Sequence, residues 1–228
     1  MFFADRIKNI KETDKVLEIG PGADPHPRAD VLLERSYPTV EEYQKQLGHT
    51  IPLITDKKIV FYDGGKFPFA DKEFDYVICS HVLEHVDDPQ TFLAEVFRIS
   101  GKGYVEFPLV YYEYLYNINA HLNVLKYDGN VLKFMKKSEL PFDSFKPVQE
   151  LLLQSLQRGH VAMINDLLPF FIEGFEWEGS FEIKKVNELT ELTWPSFSLP
   201  WPGQTKVPKY STAFLVKQLI RKIIPVSK

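Results

Sequence analysis

Val16-Leu17-Glu18-Ile19-Gly20-Pro21-Gly22 is the stretch on which the reading of this chain turns. Val16, Leu17 and Ile19 have the apolar character of a strand buried on both faces. Gly20 and Gly22 then permit a sharp turn and let a small anionic or zwitterionic ligand meet bare backbone, which a Cβ would obstruct. Taken alone, two such glycines also describe an ordinary tight turn from strand to loop. The stretch gains its meaning from a second one.

That second stretch is Asp63-Gly64-Gly65-Lys66-Phe67-Pro68-Phe69-Ala70-Asp71-Lys72-Glu73-Phe74-Asp75-Tyr76-Val77-Ile78-Cys79-Ser80-His81-Val82-Leu83-Glu84-His85. In this order the two blocks strongly resemble the Rossmann-like (class I) S-adenosylmethionine-dependent methyltransferases. The similarity is to their small-molecule branch, with an E-x-G-x-G loop and a D-x-x-x-L-P-F-x-D-x-x-F-D block. It covers roughly residues 15–108, a little under half the chain, and its motifs are specific for the cofactor rather than the acceptor. The resemblance implies an α/β fold with a mainly parallel sheet flanked by helices; the residues beyond 108 read as an elaborated C-terminal cap with a β-hairpin and helices. It also implies S-adenosyl-L-methionine as cofactor and methyl transfer to a small-molecule acceptor.

That cofactor presents an amino-acid end, a ribose diol, an adenine and a sulfonium, so several kinds of contact are expected at strand ends. The backbone of Gly20, Pro21 and Gly22 is assigned to the amino-acid end. Glu18, by the resemblance, supports that loop and lies near the ligand's ammonium. An acid closing the second strand suits the ribose diol as a bidentate acceptor, and Glu34 after Val31-Leu32-Leu33 fills that place. Asp30 is the weaker alternative because it precedes the strand. Asp63, by the resemblance, accepts from the adenine amino group, with Gly64 offering backbone beside it. Ser80 and His81 close the fourth strand, where the family places the residues flanking the sulfonium and the reacting methyl.

Three departures from the family pattern stand out. Asp24-Pro25 replaces the third small residue of the loop, the first crossover helix is shortened or lost, and the usual K-P-G-G turn contracts to Ser100-Gly101-Lys102-Gly103. Two rival readings exist. A dinucleotide-dependent oxidoreductase requires G-x-G-x-x-G, and position 25 is proline. A catalytically silent cofactor-binding or scaffold domain is the other.

Methyl transfer is an in-line displacement, so the enzyme mainly aligns the nucleophile and excludes water. His81 is the candidate general base if the acceptor must lose a proton, and its competing role is to orient the loop or cofactor. His85 reads as a structural partner of that turn. His81-x-x-Glu84-His85 has the H-x-x-E-H form of a zinc motif, but it abuts a strand end and lacks companions, so no metal is expected. Glu106 and Tyr111, just after strand five, stand within reach of the acceptor, with a solvated edge or a packing role as the competing reading. Tyr111, Tyr112, Tyr114 and Tyr116 line a substrate pocket or fill core.

The chain has 228 residues, 44% hydrophobic and 25% charged, with a net charge of −4. Such a composition is that of a soluble globular protein, and its charge disfavours broad binding to nucleic acid. No apolar run approaches the ~20 residues that span a bilayer. Charges come too early after Met1 for a secretory signal, so a cytoplasmic location is expected. Cys79 is read as a buried, reduced thiol. The end of the chain is basic and amphipathic, from Phe214 to Ile224. Docking on the protein's own body, or on a second copy in a homodimer, is favoured there over a membrane surface.

The organisation expected is a cofactor-binding core over 1–110 and an acceptor-side cap over 111–228 that completes the sheet. A short helix is expected within 2–12, strands at 15–19, 31–33, 58–62, 76–79 and 103–107, and a helix at 39–48. Asp88-Pro89 predicts the start of a helix over 89–99 with Phe92, Leu93, Val96 and Phe97 facing inward. Asp128-Gly129 predicts a hairpin. Helices broken near Gly159 fill 147–168, and 171–177 with 181–186 read as a strand pair. Ser211–Val216 is a candidate last strand or part of a helix.

Overall fold

A computed structural model of the chain describes residues 1, 3–42, 53–158 and 162–194, with the side chains of 162–166 excepted. The expected elements after residue 194, including 211–216, lie outside the described residues. Of the helix expected over 39–48, residues 39–42 fall within them; 40–42 are helical and 39 is a bend. Residues Met1–Thr193 form one compact unit.

The main sheet has six strands: β1 (Val16–Ile19), β2 (Val31–Arg35), β3 (Lys58–Tyr62), β4 (Tyr76–Ser80), β5 (Lys102–Pro108) and β8 (Ile172–Glu178), in the order β3-β2-β1-β4-β5-β8. All pairs are parallel except β5 with β8. Every residue of β1 and β4 is buried, as strands covered on both faces must be. The outer β3 leaves Phe61 exposed. Strand order reverses between β1 and β4, and the crevice at the carboxyl ends of strands about such a point is where open α/β sheets bind ligands. Ile19 pairs with Cys79, so the loops after β1 and β4 start side by side.

No helix joins β1 to β2; turns fill 21–30 instead. Asp30 Oδ2 accepts from the Val16 amide at 2.8 Å, which ties the end of this connection to the amino end of β1. Asp30 thus lies at the amino end of β1, at the opposite edge of the sheet from the strands' carboxyl ends.

The helix α1 (Pro89–Ile99) is capped by Asp88, whose Oδ1 accepts from the amides of Gln90 at 3.0 Å and Thr91 at 3.3 Å. Its buried face is Phe92, Leu93, Val96 and Ile99; Phe97 packs edge-on against Trp177 instead of facing fully inward.

A second sheet contains β6 (Asn123–Tyr127), β7 (Val131–Lys136) and β9 (Glu182–Lys185), in the order β6-β7-β9. The expected hairpin is β6–β7, turning at Gly129 with φ +98°. The strand pair expected around Gly179 does not form. Its first member, β8, runs antiparallel along β5, and its second, β9, lies parallel to β7. Each satisfies its backbone on the edge of a distant strand rather than on its sequence neighbour. The helices α2 (Val110–Tyr116), α3 (Lys146–Gln157) and α4 (Ala162–Phe171) complete the described unit.

Among the described residues, the leading segment makes only one 3-10 turn, at Ala4–Arg6, in place of the expected helix. Its amides are drawn into tertiary bonds: Phe3 N donates to Glu106 Oε2 at 3.1 Å and Asn9 N to Glu176 Oε1 at 2.9 Å. Ile7 and Ile10 meanwhile pack on Val16, Tyr76, Ile78 and Tyr104. Cys79 is buried and free, as expected. No helix among the described residues is long and apolar enough to cross a membrane.

Candidate functional site

The crevice is built from the ends of β1, β2 and β4. Gly20 and Gly22 turn the chain out of β1 with φ +61° and +62°, a left-handed conformation that glycine adopts at least cost. At Gly20 there is a second constraint, because a Cβ would lie 2.7 Å from Val82 Cγ2 in the neighbouring loop. Pro21 sits buried between them. Glu18 is buried in β1, and its Oε2 accepts from the His26 amide at 2.7 Å, holding the loop against the strand. Burial pushes its carboxyl up to about 7, only partly opposed by that hydrogen bond.

Glu34 closes β2 at 7% exposure. Its Oε1 accepts from the adjacent Arg35 amide at 3.1 Å, while Oε2 is buried and has no hydrogen-bond partner among the described residues. Burial raises its pKa. Glu34 lines a cavity of about 550 Å³ with Arg35, Tyr37 and Ile59, and an orphaned buried acceptor at the carboxyl end of a strand is a feature that a donor on a ligand would satisfy. Asp63 lies exposed in the loop after β3, followed by Gly64 with φ +104°.

At the end of β4, Ser80 Oγ donates to Glu106 Oε1 at 2.9 Å. His81 adopts φ +57°, an uncommon conformation for a residue with a Cβ, and its amide donates to the Glu106 carbonyl at 2.8 Å. Its ring bridges two fully buried carboxylates, Nδ1 to Glu84 Oε1 and Nε2 to Glu106 Oε1, both at 3.1 Å. Burial disfavours the charged ring, but the hydrogen bonds to Glu106 and Glu84 outweigh it and raise the pKa to about 9. With a carboxylate oxygen facing each ring nitrogen, the surroundings favour the protonated ring over the neutral one that a base requires. The general-base role expected for His81 is poorly served by these surroundings; the orienting role is well served.

The same turn continues into His85, whose pKa is held below the ordinary histidine range chiefly by burial. Asn123 Nδ2 donates to the carbonyls of Leu83 at 3.1 Å and Val86 at 2.7 Å, clamping the turn to β6. On the far side Glu113 pairs with His121 and, at 2.7 Å, with Lys137 Nζ. Sequence reading missed Glu113, His121 and Asn123 entirely. They lie beyond the motif blocks and are joined to the turn only by folding, so no spacing announces them. Tyr116 is buried and Tyr111 and Tyr114 pack on Val110, Val124 and Phe142, which makes most of the tyrosine cluster core.

Residues 31–105 match the family model of a methyltransferase domain. Among solved structures, the chain is similar to the PH0226 protein of Pyrococcus horikoshii at 20% identity, covering 51% of this chain and 63% of that one, with a TM-score of 0.35. It is similar to a SAM-dependent methyltransferase of Thermotoga maritima, described as a possible histamine N-methyltransferase, at 22% identity, covering 46% and 49%, with a TM-score of 0.32. A SAM-dependent methyltransferase of Methanosarcina mazei is matched at 17% identity over 53% and 69%, with a TM-score of 0.32. The chain spans less than two thirds of the length of the first two. No curated protein matches it. The sheet topology is that of a Rossmann-like α/β fold, and the family match over residues 31–105 agrees with the resemblance to the class I S-adenosylmethionine-dependent methyltransferases.

Proposed function

We propose that this chain binds S-adenosyl-L-methionine across the carboxyl ends of β1, β2 and β4 and transfers its methyl group to a small-molecule acceptor. The observation that carries the binding half is Glu34, whose Oε2, without a hydrogen-bond partner among the described residues, matches the vicinal diol of a ribose. Glu18 is the partner for an ammonium, the Gly20–Gly22 turn admits the amino-acid end without side-chain obstruction, and Asp63 with Gly64 serves the adenine edge. Bound there, the cofactor supplies an activated methyl carbon. The protein's part is then alignment and exclusion of water. Ser80 is tied to Glu106, and His81 to Glu84 and Glu106, which holds the loop beside β4 for that alignment. With His81 protonated, the reading favours an acceptor that is already nucleophilic or that gives up its proton elsewhere.

Calorimetric titration with S-adenosylmethionine and S-adenosylhomocysteine tests the binding, with NAD as the rival arm. Heat with the first two and none with NAD is expected. Heat with NAD alone, or with none of them from folded protein, overturns the reading. Methyl transfer over a panel of small acceptors then separates an enzyme from a silent binding domain.

A further inference from the structure

The H-x-x-E-H turn lacks companions in the sequence, but the fold supplies one. Glu84, His85 and His121 each offer one ligand atom, and these atoms all lie within 4.8 Å of one another. The two rings meet edge to face with centroids 4.7 Å apart.

Each imidazole is already anchored by its other nitrogen. His85 Nδ1 lies 3.0 Å from the carbonyl oxygen of Ala120, which can only accept, so the proton sits on Nδ1 and the lone pair on Nε2. His121 Nδ1 pairs in the same way with the carboxylate of Glu113, itself balanced by Lys137. A carbonyl or carboxylate fixing the far nitrogen of a histidine is the support that metal-binding imidazoles usually have. Glu84 is fully buried; its Oε1 accepts from His81, and its Oε2 has no hydrogen bond among the described residues. A buried anion left half-satisfied beside two oriented nitrogen lone pairs is a poor structural motif and a good ligand set.

We propose that Glu84, His85 and His121 bind one divalent transition-metal ion, zinc by their two-nitrogen, one-oxygen donor set. Donors about 2.0–2.1 Å from a tetrahedral zinc stand roughly 3.3 Å from one another, so the site closes on the ion by about 1 Å or a little more. The shortest approach of the pair, His85 Nε2 to Glu84 Oε1, is already 4.0 Å. A cavity of about 440 Å³ lined by residues including Asp87, Asn117 and His121 brings solvent to the edge of the site. Three protein ligands leave a fourth position open, the arrangement of sites that admit water or a substrate atom.

The test needs neither cofactor nor acceptor, so it stands or falls apart from methyl transfer. The full chain, stripped with a chelator and dialysed against zinc, is expected to retain one equivalent by elemental analysis. Cobalt in its place is expected to give the intense visible bands of a four-coordinate centre. His85→Gln and His121→Asn, chosen to keep volume and polarity, are each expected to abolish stoichiometric retention. Glu113→Gln, which touches no metal, is expected to weaken affinity by roughly 10–100-fold. His26→Ala, on the β1–β2 loop, is the control expected to bind as the parent does, and circular dichroism verifies folding of every variant. No zinc uptake by folded parent protein, or undiminished uptake by folded His85→Gln and His121→Asn, overturns the proposal.

Discussion

His81 is held by Glu106 twice over: its amide donates to the Glu106 carbonyl at 2.8 Å, and its ring Nε2 lies 3.1 Å from the Glu106 carboxylate. The same carboxylate accepts from Ser80 Oγ at 2.9 Å, from Tyr104 Oη at 2.8 Å and from the Phe3 amide at 3.1 Å. One buried side chain thus fastens the crevice loop, the strand beneath it and the leading segment. Removing one partner of a buried charged pair leaves the other uncompensated, at about 3–5 kcal/mol. Glu106→Ala is expected to lose stability of that order in denaturant unfolding, and a loss below about 1 kcal/mol would show that the network is not a unit.

Gly20 and Gly22 share a left-handed backbone but not their surroundings. A methyl at Gly20 meets Val82 Cγ2 at 2.7 Å, whereas one at Gly22 meets nothing within 4 Å. Gly22→Ala is expected to cost about 1–2 kcal/mol, the left-handed penalty alone. Gly20→Ala should exceed it, and adding Val82→Ala should recover part of the excess. A thermodynamic cycle over these variants checks this, and strictly additive effects of Gly20→Ala and Val82→Ala would refute the contact.

Glu34 is expected to trade stability for binding. Glu34→Leu removes a buried, half-satisfied carboxylate, so the ligand-free protein should melt at a higher temperature than the parent. Its affinity for S-adenosylmethionine should fall by roughly 10–100-fold, the value of a hydrogen bond to a charged group. A variant that melts lower, or that binds as well as the parent, contradicts the role given to this residue.

Glu18 sets a pH dependence of definite sign. Its carboxyl is raised from 4.5 in an unfolded chain to about 7 when folded. Below pH 4.5 both states hold the proton and the group contributes nothing differential. Through the window from 4.5 to about 7 the native state keeps a proton that the unfolded chain releases, so stability declines as pH rises. The decline amounts to roughly 3 kcal/mol, and beyond the window it levels off. Glu18→Gln should remove this component from the pH profile of chemical denaturation. An unchanged slope would locate the effect elsewhere.

The parts of the molecule legible in its residues are those whose causes lie close together along the chain. An unbroken apolar run followed by two glycines gives β1 and its turn; Asp88 before Pro89 starts α1; Asp128-Gly129 between two β-forming runs gives the hairpin. The missing helix between β1 and β2 is likewise local, since Pro25 and Pro27 crowd a connection too short to hold one. Glu34 at the end of β2 could be named, but not that its Oε2 would find no partner among the described residues, because that depends on what distant elements supply.

What only the tertiary structure decided are the outcomes of competition between distant groups. The leading segment carries a helical pattern, yet its amides find better-placed acceptors in Glu106 and Glu176 and the helix is not made. β8 passes over its neighbour β9 because β5 offers a buried edge along which seven residues pair. Glu84 and His85 are adjacent in sequence, but the third ligand atom belongs to His121, oriented by Glu113 from another element. Sequence patterns report interactions whose partners the chain holds near one another. Burial and hydrogen-bond satisfaction are settled over the whole fold, and they decide which distant groups meet.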